Sequence, residues 1–197
     1  MAIAPRILNP FYLLPQVAMI YLSCLIDPGV RADPPLASHG ITQTRQLTEH
    51  LLSLPQRPQK IYCSPYYRCI QTIVPLSKAL NQPIYLDEGI GEWYGLLRQS
   101  ASPDHPTPLS VDQWSPFFPD VEFRQGDTGI IGNRRGETLT QVHERAKKAL
   151  EIIINRADQD GLDTLILCTH AATNIALGRA LTGDPDVCIP FDVELMC

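Results

Sequence analysis

Residues 61–72 read Ile-Tyr-Cys-Ser-Pro-Tyr-Tyr-Arg-Cys-Ile-Gln-Thr, and this stretch decides the fold. Its first three residues are typical of a short buried strand, and residues 65–80 are typical of a helix. Ser64 suits the N-cap of that helix, and Pro65 suits its first position. A strand that leads directly into a helix predicts an α/β unit, and the free backbone N–H groups at the helix start favour an anion there.

Similar units lie on both sides of this stretch. The pattern predicts further strands at residues 17–24, 84–86 and 165–168, and helices at residues 39–54, from Thr138 onward and at 171–181. Thr138 and Gln141 form a capping-box sequence at the start of the long helix. The alternation indicates one three-layer α/β domain over residues 1–197, with a mostly parallel central sheet and helices on both faces.

Two segments depart from the regular pattern. Residues 1–30 are atypical: their apolar part, 11–26, is shorter than the ~20 residues that span a bilayer and contains Pro15, so no membrane contact is expected. A basic residue precedes this part, as in a signal peptide, but no small-x-small cleavage site follows, and a buried first strand is the preferred interpretation. Residues 96–136 are rich in Pro, Asp and Gly and predict a long insertion or a lid over a pocket.

Composition narrows the classes of function. The chain has 197 residues, of which 44% are hydrophobic and 19% charged, and its net charge is -5. These are globular values without a broad basic surface, so we expect no direct contact with nucleic acid, and any role near DNA would run through a protein partner. The six cysteines form no Cys-x-x-Cys pair. This favours reduced thiols in an intracellular compartment, cytoplasmic or nuclear.

Three polar residues near predicted strand ends are candidates for chemistry. Arg68 carries a planar fork that suits phosphate oxygens, and the alternative is a pair with a surface carboxylate. His170 suits stabilisation of charge on a phosphoryl oxygen, and the alternative is a hydrogen-bonded core histidine. Glu92 lies in a Gly-flanked turn beside two aromatic residues. There we expect a raised pKa, as a general acid requires, and the alternative is a solvated turn residue.

The order of these residues carries a family resemblance. Ser-Pro-x-x-Arg-x-x-x-Thr at 64–72, then Gly-Glu-Trp-Tyr-Gly at 91–95, then Thr-His at 169–170, resembles the histidine phosphatase superfamily, also called phosphoglycerate mutase-like. The similarity extends from about Leu36 to Ile189. It includes a further set of matching positions: Leu36, Gly40, Gln43, Gly136, Glu137, Thr138 and Arg145.

The resemblance implies roles for the site residues. Arg68 and His170 would bind the phosphate, together with Ser64, and Glu92 would be the proton donor. The implied activity is that of a phosphomonoesterase acting through a phosphohistidine, and the implied ligand is phosphate or a phosphorylated small molecule or protein. No metal and no cofactor is implied, because arginines and histidines neutralise the phosphate.

A narrower resemblance concerns residues 91–95, Phe-Phe-Pro at 117–119 and Thr-His-Ala-Ala at 169–172. These segments are similar to one fungal branch, the phosphatase-like domain of the tau subunit in RNA polymerase III transcription factor C. That branch implies a protein partner in a transcription complex and a non-catalytic interaction role. The aromatic residues of the insertion suit either an interface or packing under a lid.

One family feature is missing from the chain. In the superfamily the first strand ends in Arg-His-Gly, whose histidine is the nucleophile, and this triplet occurs nowhere in the 197 residues. The predicted first strand places Cys24, Leu25 and Ile26 at those positions, and leucine cannot attack phosphorus. We therefore expect no nucleophile and negligible turnover, since removing a nucleophile costs on the order of 10⁶ in rate.

Two other residues are poor substitutes for that histidine. No strand precedes His39, and the Cys-x4-Arg spacing from Cys63 to Arg68 is one residue shorter than the Cys-x5-Arg loop of cysteine phosphatases. Both ends of the chain depart from the family pattern, with an abrupt segment at 27–32 and a strand-like start at 187–191. This favours a mis-spliced or mispredicted first exon over genuine loss of the triplet.

Overall fold

The computed structural model describes residues 33–97, 105–184 and 186. The helices are α1 (Ser38–Ser53), α2 (Tyr67–Leu80), α3 (Val111–Trp114), α4 (Leu139–Asp160) and α5 (Ala171–Thr182). The strands are β1 (Lys60–Cys63), β2 (Ile84–Leu86), β3 (Phe123–Gln125) and β4 (Leu165–Cys168), and short 3₁₀ turns occur at Glu88–Ile90 and Ser115–Phe117. The predicted strand at 17–24, the triplet position at 24–26 and the segment at 187–191 lie outside the described residues.

The four described strands form one parallel sheet in the order β3-β2-β1-β4. Ile61 of β1 is the register partner of Ile84 in β2 and of Ile166 in β4. Strands β1, β2 and β4 therefore end side by side at the same edge of the sheet. The prediction of a mostly parallel α/β sheet is confirmed.

Helices pack on both faces of this sheet. Successive residues of a strand point to opposite sides, so each strand contributes to two buried clusters. On one face, Ile61 and Cys63 belong to a buried cluster with Ile70 of α2. On the other face, Tyr62 belongs to a cluster with Ala149 of α4 and further residues of α5. The predicted three-layer arrangement is therefore present in the described part of the chain.

The Pro-rich segment contains a strand that sequence reasoning missed. β3 pairs in parallel with β2, with Phe123 opposite Ile84. Only Phe123 of its three residues is buried, and Arg124 is exposed, so the strand shows too little apolar periodicity to be recognised. The role of residues 96–136 as a lid stays a prediction.

The long helix α4 begins as its sequence predicts. The Thr138 hydroxyl accepts a hydrogen bond from the Gln141 backbone N–H at 3.2 Å, and the Gln141 side chain accepts one from the Thr138 N–H at 2.8 Å. This reciprocal pair confirms the capping box. Gly161 ends the helix in the left-handed conformation, with φ of 65°, which favours glycine.

Candidate functional site

The carboxyl ends of β1 and β4 meet at one point of the sheet edge. The backbone N–H of Ser64, which follows β1, donates to the carbonyl of Cys168 at 2.8 Å. His170 follows β4 and is the N-cap residue of α5. In open α/β sheets ligands bind outside the carboxyl ends of the strands, so this edge is the natural place for a site.

The structure brings together the four residues that the sequence predicts for a site. Ser64 Oγ lies 2.7 Å from Nε2 of His170, and Arg68 Nη2 lies 3.0 Å from its Nδ1. The Glu92 carboxylate pairs with Arg68 and lies 3.2 Å from the same Nδ1. One carboxylate oxygen of Glu92 thus bridges two cationic groups, and Ser64 holds the far side of the imidazole ring.

The electrostatics of this cluster overturn one expectation for Glu92. Burial alone would raise the pKa of Glu92, but the charges of His170 and Arg68 outweigh it and lower the pKa to about 2. The aromatic neighbours therefore do not decide its protonation, and Glu92 is a carboxylate at neutral pH in the free protein. The raised pKa that sequence reasoning expected is wrong because that reasoning did not include the two cations.

His170 is cationic for the complementary reason. Burial by itself lowers the pKa of this fully enclosed imidazole, whereas its contacts with Cys69 and Glu92 raise the pKa to about 9. The protonated ring lies with its Nε2 2.7 Å from Ser64 Oγ and its Nδ1 3.2 Å from the Glu92 carboxylate. The site accordingly presents two positive groups, Arg68 and His170, at neutral pH.

The start of α2 differs from its prediction. The helix begins at Tyr67 after the N-cap residue Tyr66, and neither Ser64 nor Pro65 takes the predicted cap positions. The Ser64 hydroxyl is engaged with His170 instead. The carboxylate of Asp33 performs the capping from a distant point of the chain, because its Oδ2 accepts the N–H of Tyr67 at 2.6 Å.

Asp33 is a site residue that sequence reasoning missed. Its Oδ1 lies 3.7 Å from Arg68 Nη1, so the arginine has a carboxylate on each side. Burial raises the pKa of Asp33 to about 6, although the Tyr67 N–H and the Arg68 charge act in the opposite direction. The sequence signal was weak, since an aspartate ahead of two prolines is ordinary for a turn.

Arg145 holds the turn that carries Glu92. Its guanidinium donates to both carboxylate oxygens of Glu137, with Nε–Oε1 at 2.8 Å and Nη2–Oε2 at 2.8 Å. The same group donates to the backbone carbonyls of Gly89 at 3.0 Å, Gly91 at 3.2 Å and Glu92 at 3.2 Å. The buried arginine thereby fixes the backbone from which the Glu92 side chain extends.

Two threonines complete this support. The Thr169 hydroxyl donates to the carbonyl of Ile90 at 2.6 Å, and the Thr173 hydroxyl donates to the carbonyl of Gly91 at 2.7 Å. Thr169 directly precedes His170 on the β4–α5 connection, and Thr173 lies in the first turn of α5. The position of Glu92 relative to His170 is therefore set by backbone contacts as well as by the ion pair.

Aromatic rings line the approach to His170. Tyr66 meets the imidazole edge-on with ring centroids 5.4 Å apart, and its hydroxyl donates to the Pro106 carbonyl at 3.0 Å. Tyr94 packs near Tyr66 and stacks on His105 at 4.6 Å. His105 and Pro106 come from the predicted insertion, so this segment contributes directly to the wall of the site.

The other nucleophile candidates of the sequence are poorly suited to attack. His39 is exposed on the second residue of α1. Cys63 is fully buried, and burial raises the pKa of its thiol. Cys69 lies 3.6 Å from His170 Nε2, but burial raises the pKa of its thiol as well, so it too stays protonated.

Two further features are absent from the described residues. No group of three or more His, Cys, Asp or Glu residues in the described ranges is arranged to hold a metal ion. No helix within those ranges is both long and apolar enough to cross a bilayer.

Comparison with known proteins identifies the class to which this fold and site belong. A match to the histidine phosphatase superfamily (branch 1) covers residues 28–190. The chain belongs to this family, and the resemblance noted in its sequence is confirmed.

Two relatives of this chain are named for different functions. The chain is 40% identical over 161 residues to the transcription factor tau 55 kDa subunit of Saccharomyces cerevisiae, which covers 80% of this chain and 36% of that protein. It is 29% identical over 160 residues to the ecdysteroid-phosphate phosphatase of Drosophila melanogaster, covering 79% of this chain and 20% of that protein. The chain thus spans little more than a third of the length of these relatives at most.

Solved structures share the fold. The ecdysone phosphate phosphatase of Bombix mori, crystallised with tungstate, aligns with a TM-score of 0.66 at 21% identity, covering 83% of this chain and 64% of that one. Mycobacterial hydrolase 1 aligns with a TM-score of 0.53 at 20% identity, covering 80% of this chain and 73% of that one. These similarities confirm the predicted phosphoglycerate mutase-like architecture.

Proposed function

We propose that this chain is a single domain that binds phosphate or a phosphomonoester through Ser64, Arg68 and His170, and that it does not hydrolyse the ester. The observation that carries the proposal is the convergence of Arg68, His170 and Glu92 at the carboxyl end of the sheet. Two cations in a buried polar cluster offer groups that attract the oxygens of a phosphate.

The binding residues have separate tasks in this proposal. Arg68 offers its planar guanidinium to phosphate oxygens, and it lies at the second position of α2, where the helix N-terminus adds partial positive charge. His170 contributes positive charge from a ring that Ser64 orients through its hydroxyl contact at 2.7 Å. Glu92, which lies beside both cations, would face the leaving oxygen of an ester.

The absence of turnover rests on two arguments. The chain contains no Arg-His-Gly triplet, so no histidine stands at the end of the predicted first strand to accept the phosphoryl group. In the free site Glu92 is ionised, with its pKa lowered to about 2 by His170 and Arg68 against the effect of burial. A carboxylate in that state has no proton to give to a leaving group.

A second candidate function is a non-catalytic role within a transcription complex. It is favoured by the 40% identity to the transcription factor tau 55 kDa subunit, and it would place the protein in the nucleus. Phe117, which is 65% exposed on the aromatic insertion, offers an apolar contact for a protein partner. The two candidate functions are compatible, since a phosphate on the partner would be a ligand for the site.

The proposal is tested with the full chain by calorimetric titration with inorganic phosphate and by an assay of aryl phosphate hydrolysis. We expect saturable phosphate binding that weakens at least about tenfold in Arg68→Met, the size of one lost charge-assisted hydrogen bond. Arg57→Met is the matched control, because Arg57 is exposed and precedes β1 at the opposite edge of the sheet.

The two halves of the proposal fail separately. Steady hydrolysis that Arg68→Met abolishes would contradict the claim that the chain does not hydrolyse the ester. Equal phosphate affinity in Arg68→Met and Arg57→Met, or no binding at all, would contradict the phosphate-binding half.

A further inference from the structure

Asp33 leaves one acceptor open beside the proposed phosphate position. Its Oδ2 is bonded to the N–H of Tyr67, whereas its Oδ1 is buried and receives no hydrogen bond from any described residue. Arg68 Nη1 is 3.7 Å from that oxygen, which is beyond hydrogen-bond distance. A buried acceptor without a donor is costly, so this oxygen is satisfied best by a ligand that carries a proton.

The segment that carries Asp33 is anchored against α2. The backbone N–H of Leu36 donates to the Gln71 side-chain oxygen at 2.7 Å, and the Tyr67 N–H holds the carboxylate itself. Asp33 therefore faces Arg68 from a fixed direction. An oxyanion that engages Nη1 of Arg68 has to share this space with Asp33 Oδ1.

We propose that Asp33 is a specificity residue that makes the site select protonated oxyanions, such as hydrogen phosphate or a phosphomonoester monoanion, over oxyanions that carry no proton, such as sulfate. The inference rests on the proposed phosphate site and names the protonation state of its ligand. The bound complex contains one proton between Asp33 and the ligand, supplied either by the oxyanion or by the carboxyl group.

The reason is a charge balance within the pocket. The charged groups that act on the Asp33 carboxyl are Arg68 at the start of α2 and Glu92 from the turn, and Asp33 in turn acts on Tyr66 and on Cys63 of β1. With Asp33 and Glu92 both ionised, they cancel the charges of Arg68 and His170. An unprotonated anion then meets a carboxylate with no net attraction, whereas a protonated one donates a hydrogen bond to it.

Sulfate is the sharper probe because its charge does not change between pH 5 and 7.5. Burial raises the pKa of Asp33 to about 6, while the pKa of Glu92 is about 2 and that of His170 about 9, so of these three groups Asp33 changes its protonation in this interval. Sulfate binding by the native chain should therefore weaken about tenfold per pH unit above 6. Inorganic phosphate still carries at least one proton at pH 7.5, so its affinity should weaken less.

The test is calorimetric titration of the full chain, Asp33→Asn and the exposed control Asp158→Asn with sulfate and with phosphate at pH 5 and 7.5. The side-chain amide introduced by Asp33→Asn keeps an oxygen for the Tyr67 N–H and offers an N–H to an unprotonated oxyanion. In Asp33→Asn we expect sulfate affinity at pH 7.5 to rise at least about tenfold and its pH dependence to disappear. Asp158→Asn should behave as the native chain does.

The outcomes separate this inference from the proposed function. Oxyanion binding that depends on Arg68 but has the same sulfate-to-phosphate preference and pH dependence in Asp33→Asn would overturn the role of Asp33 alone. Absence of binding by the native chain and by Asp33→Asn at both pH values would overturn the proposed phosphate site together with it.

Discussion

The two carboxylates that flank Arg68, those of Glu92 and Asp33, have different hydrogen-bonding environments. Glu92 extends from a turn whose backbone carbonyls are bonded to Arg145, Thr169 and Thr173. Asp33 is held at one oxygen by the Tyr67 N–H, and its other oxygen has no hydrogen-bond donor among the described residues. The carboxyl group of Glu92 consequently has a lowered pKa, whereas that of Asp33 has a raised pKa.

This difference shows on which side of the site the charges and hydrogen bonds are matched without a ligand. On the Glu92 side, charges and hydrogen bonds are matched inside the protein, so removing a partner should cost stability. On the Asp33 side, an ionised carboxylate is left partly uncompensated, so removing its charge should add stability. Substitutions on the two sides should therefore change the free energy of unfolding in opposite directions.

The largest effect is expected for Arg145→Met. This change leaves the Glu137 carboxylate buried without its partner, since both side chains of the pair are nearly enclosed. We expect a loss of about 3–5 kcal/mol in the free energy of unfolding, measured by urea denaturation. Arg57→Met is the exposed control and should stay within about 0.5 kcal/mol. A loss in Arg145→Met below about 1 kcal/mol would mean that the turn is held by other contacts.

The next effect concerns the pH dependence that His170 contributes. Contacts with Cys69 and Glu92 raise its pKa to about 9 against the effect of burial, from a usual value of 6.5. Its contribution to stability is therefore complete below pH 6.5 and is lost as the pH rises through 9. We expect the unfolding free energies of the native chain and His170→Gln to converge over this interval. Parallel curves in urea denaturation would show that His170 is not charged in the folded protein.

A smaller effect of opposite sign is expected for Asp33→Asn. Burial raises the pKa of Asp33 from 3.8 to about 6, so its contribution to stability falls as the pH rises from 3.8 through 6. At pH 7.5 the variant should be more stable than the native chain by about 1–2 kcal/mol, a value reduced for partial exposure, and near pH 4 the gain should vanish. Denaturation at the two pH values measures this, and a destabilised variant at pH 7.5 would contradict the comparison.

The smallest effect is expected far from both carboxylates. Thr138→Ala removes one half of the capping box of α4 and should cost about 1 kcal/mol. Because the Thr138 side chain does not touch Arg68, Glu92 or His170, phosphate affinity should stay unchanged in calorimetric titration. A change in affinity would show that the start of α4 is coupled to the site.

Local sequence was sufficient for most of the fold. Strands β1, β2 and β4 and the long helices have apolar spacing that shows in a short window, and the cap of α4 lies within four residues. Strand β3 was missed because a three-residue edge strand with one buried side chain has almost no pattern. The predicted start of α2 was wrong because the cap of this helix comes from Asp33, 34 residues earlier.

The site, like the fold, could be predicted from the sequence in part. Ser64, Arg68 and His170 follow strands that end at one edge, so their convergence follows from topology. The ionisation of Glu92 was not predictable, because it depends on contacts with residues 24 and 78 positions away. The roles of Asp33 and Arg145 were missed for the same reason, since Asp33 contacts the start of α2 and Arg145 contacts the backbone of residues 89–92.

The central claim, binding of a phosphomonoester without hydrolysis, is tested most directly by an NMR titration of the full chain with phenyl phosphate. Resonances of the His170 imidazole and of phenol are followed in the same sample. The account predicts saturable shifts of the His170 resonances while phenyl phosphate stays intact. Steady formation of phenol, or phenyl phosphate that leaves the His170 resonances unmoved, would contradict it.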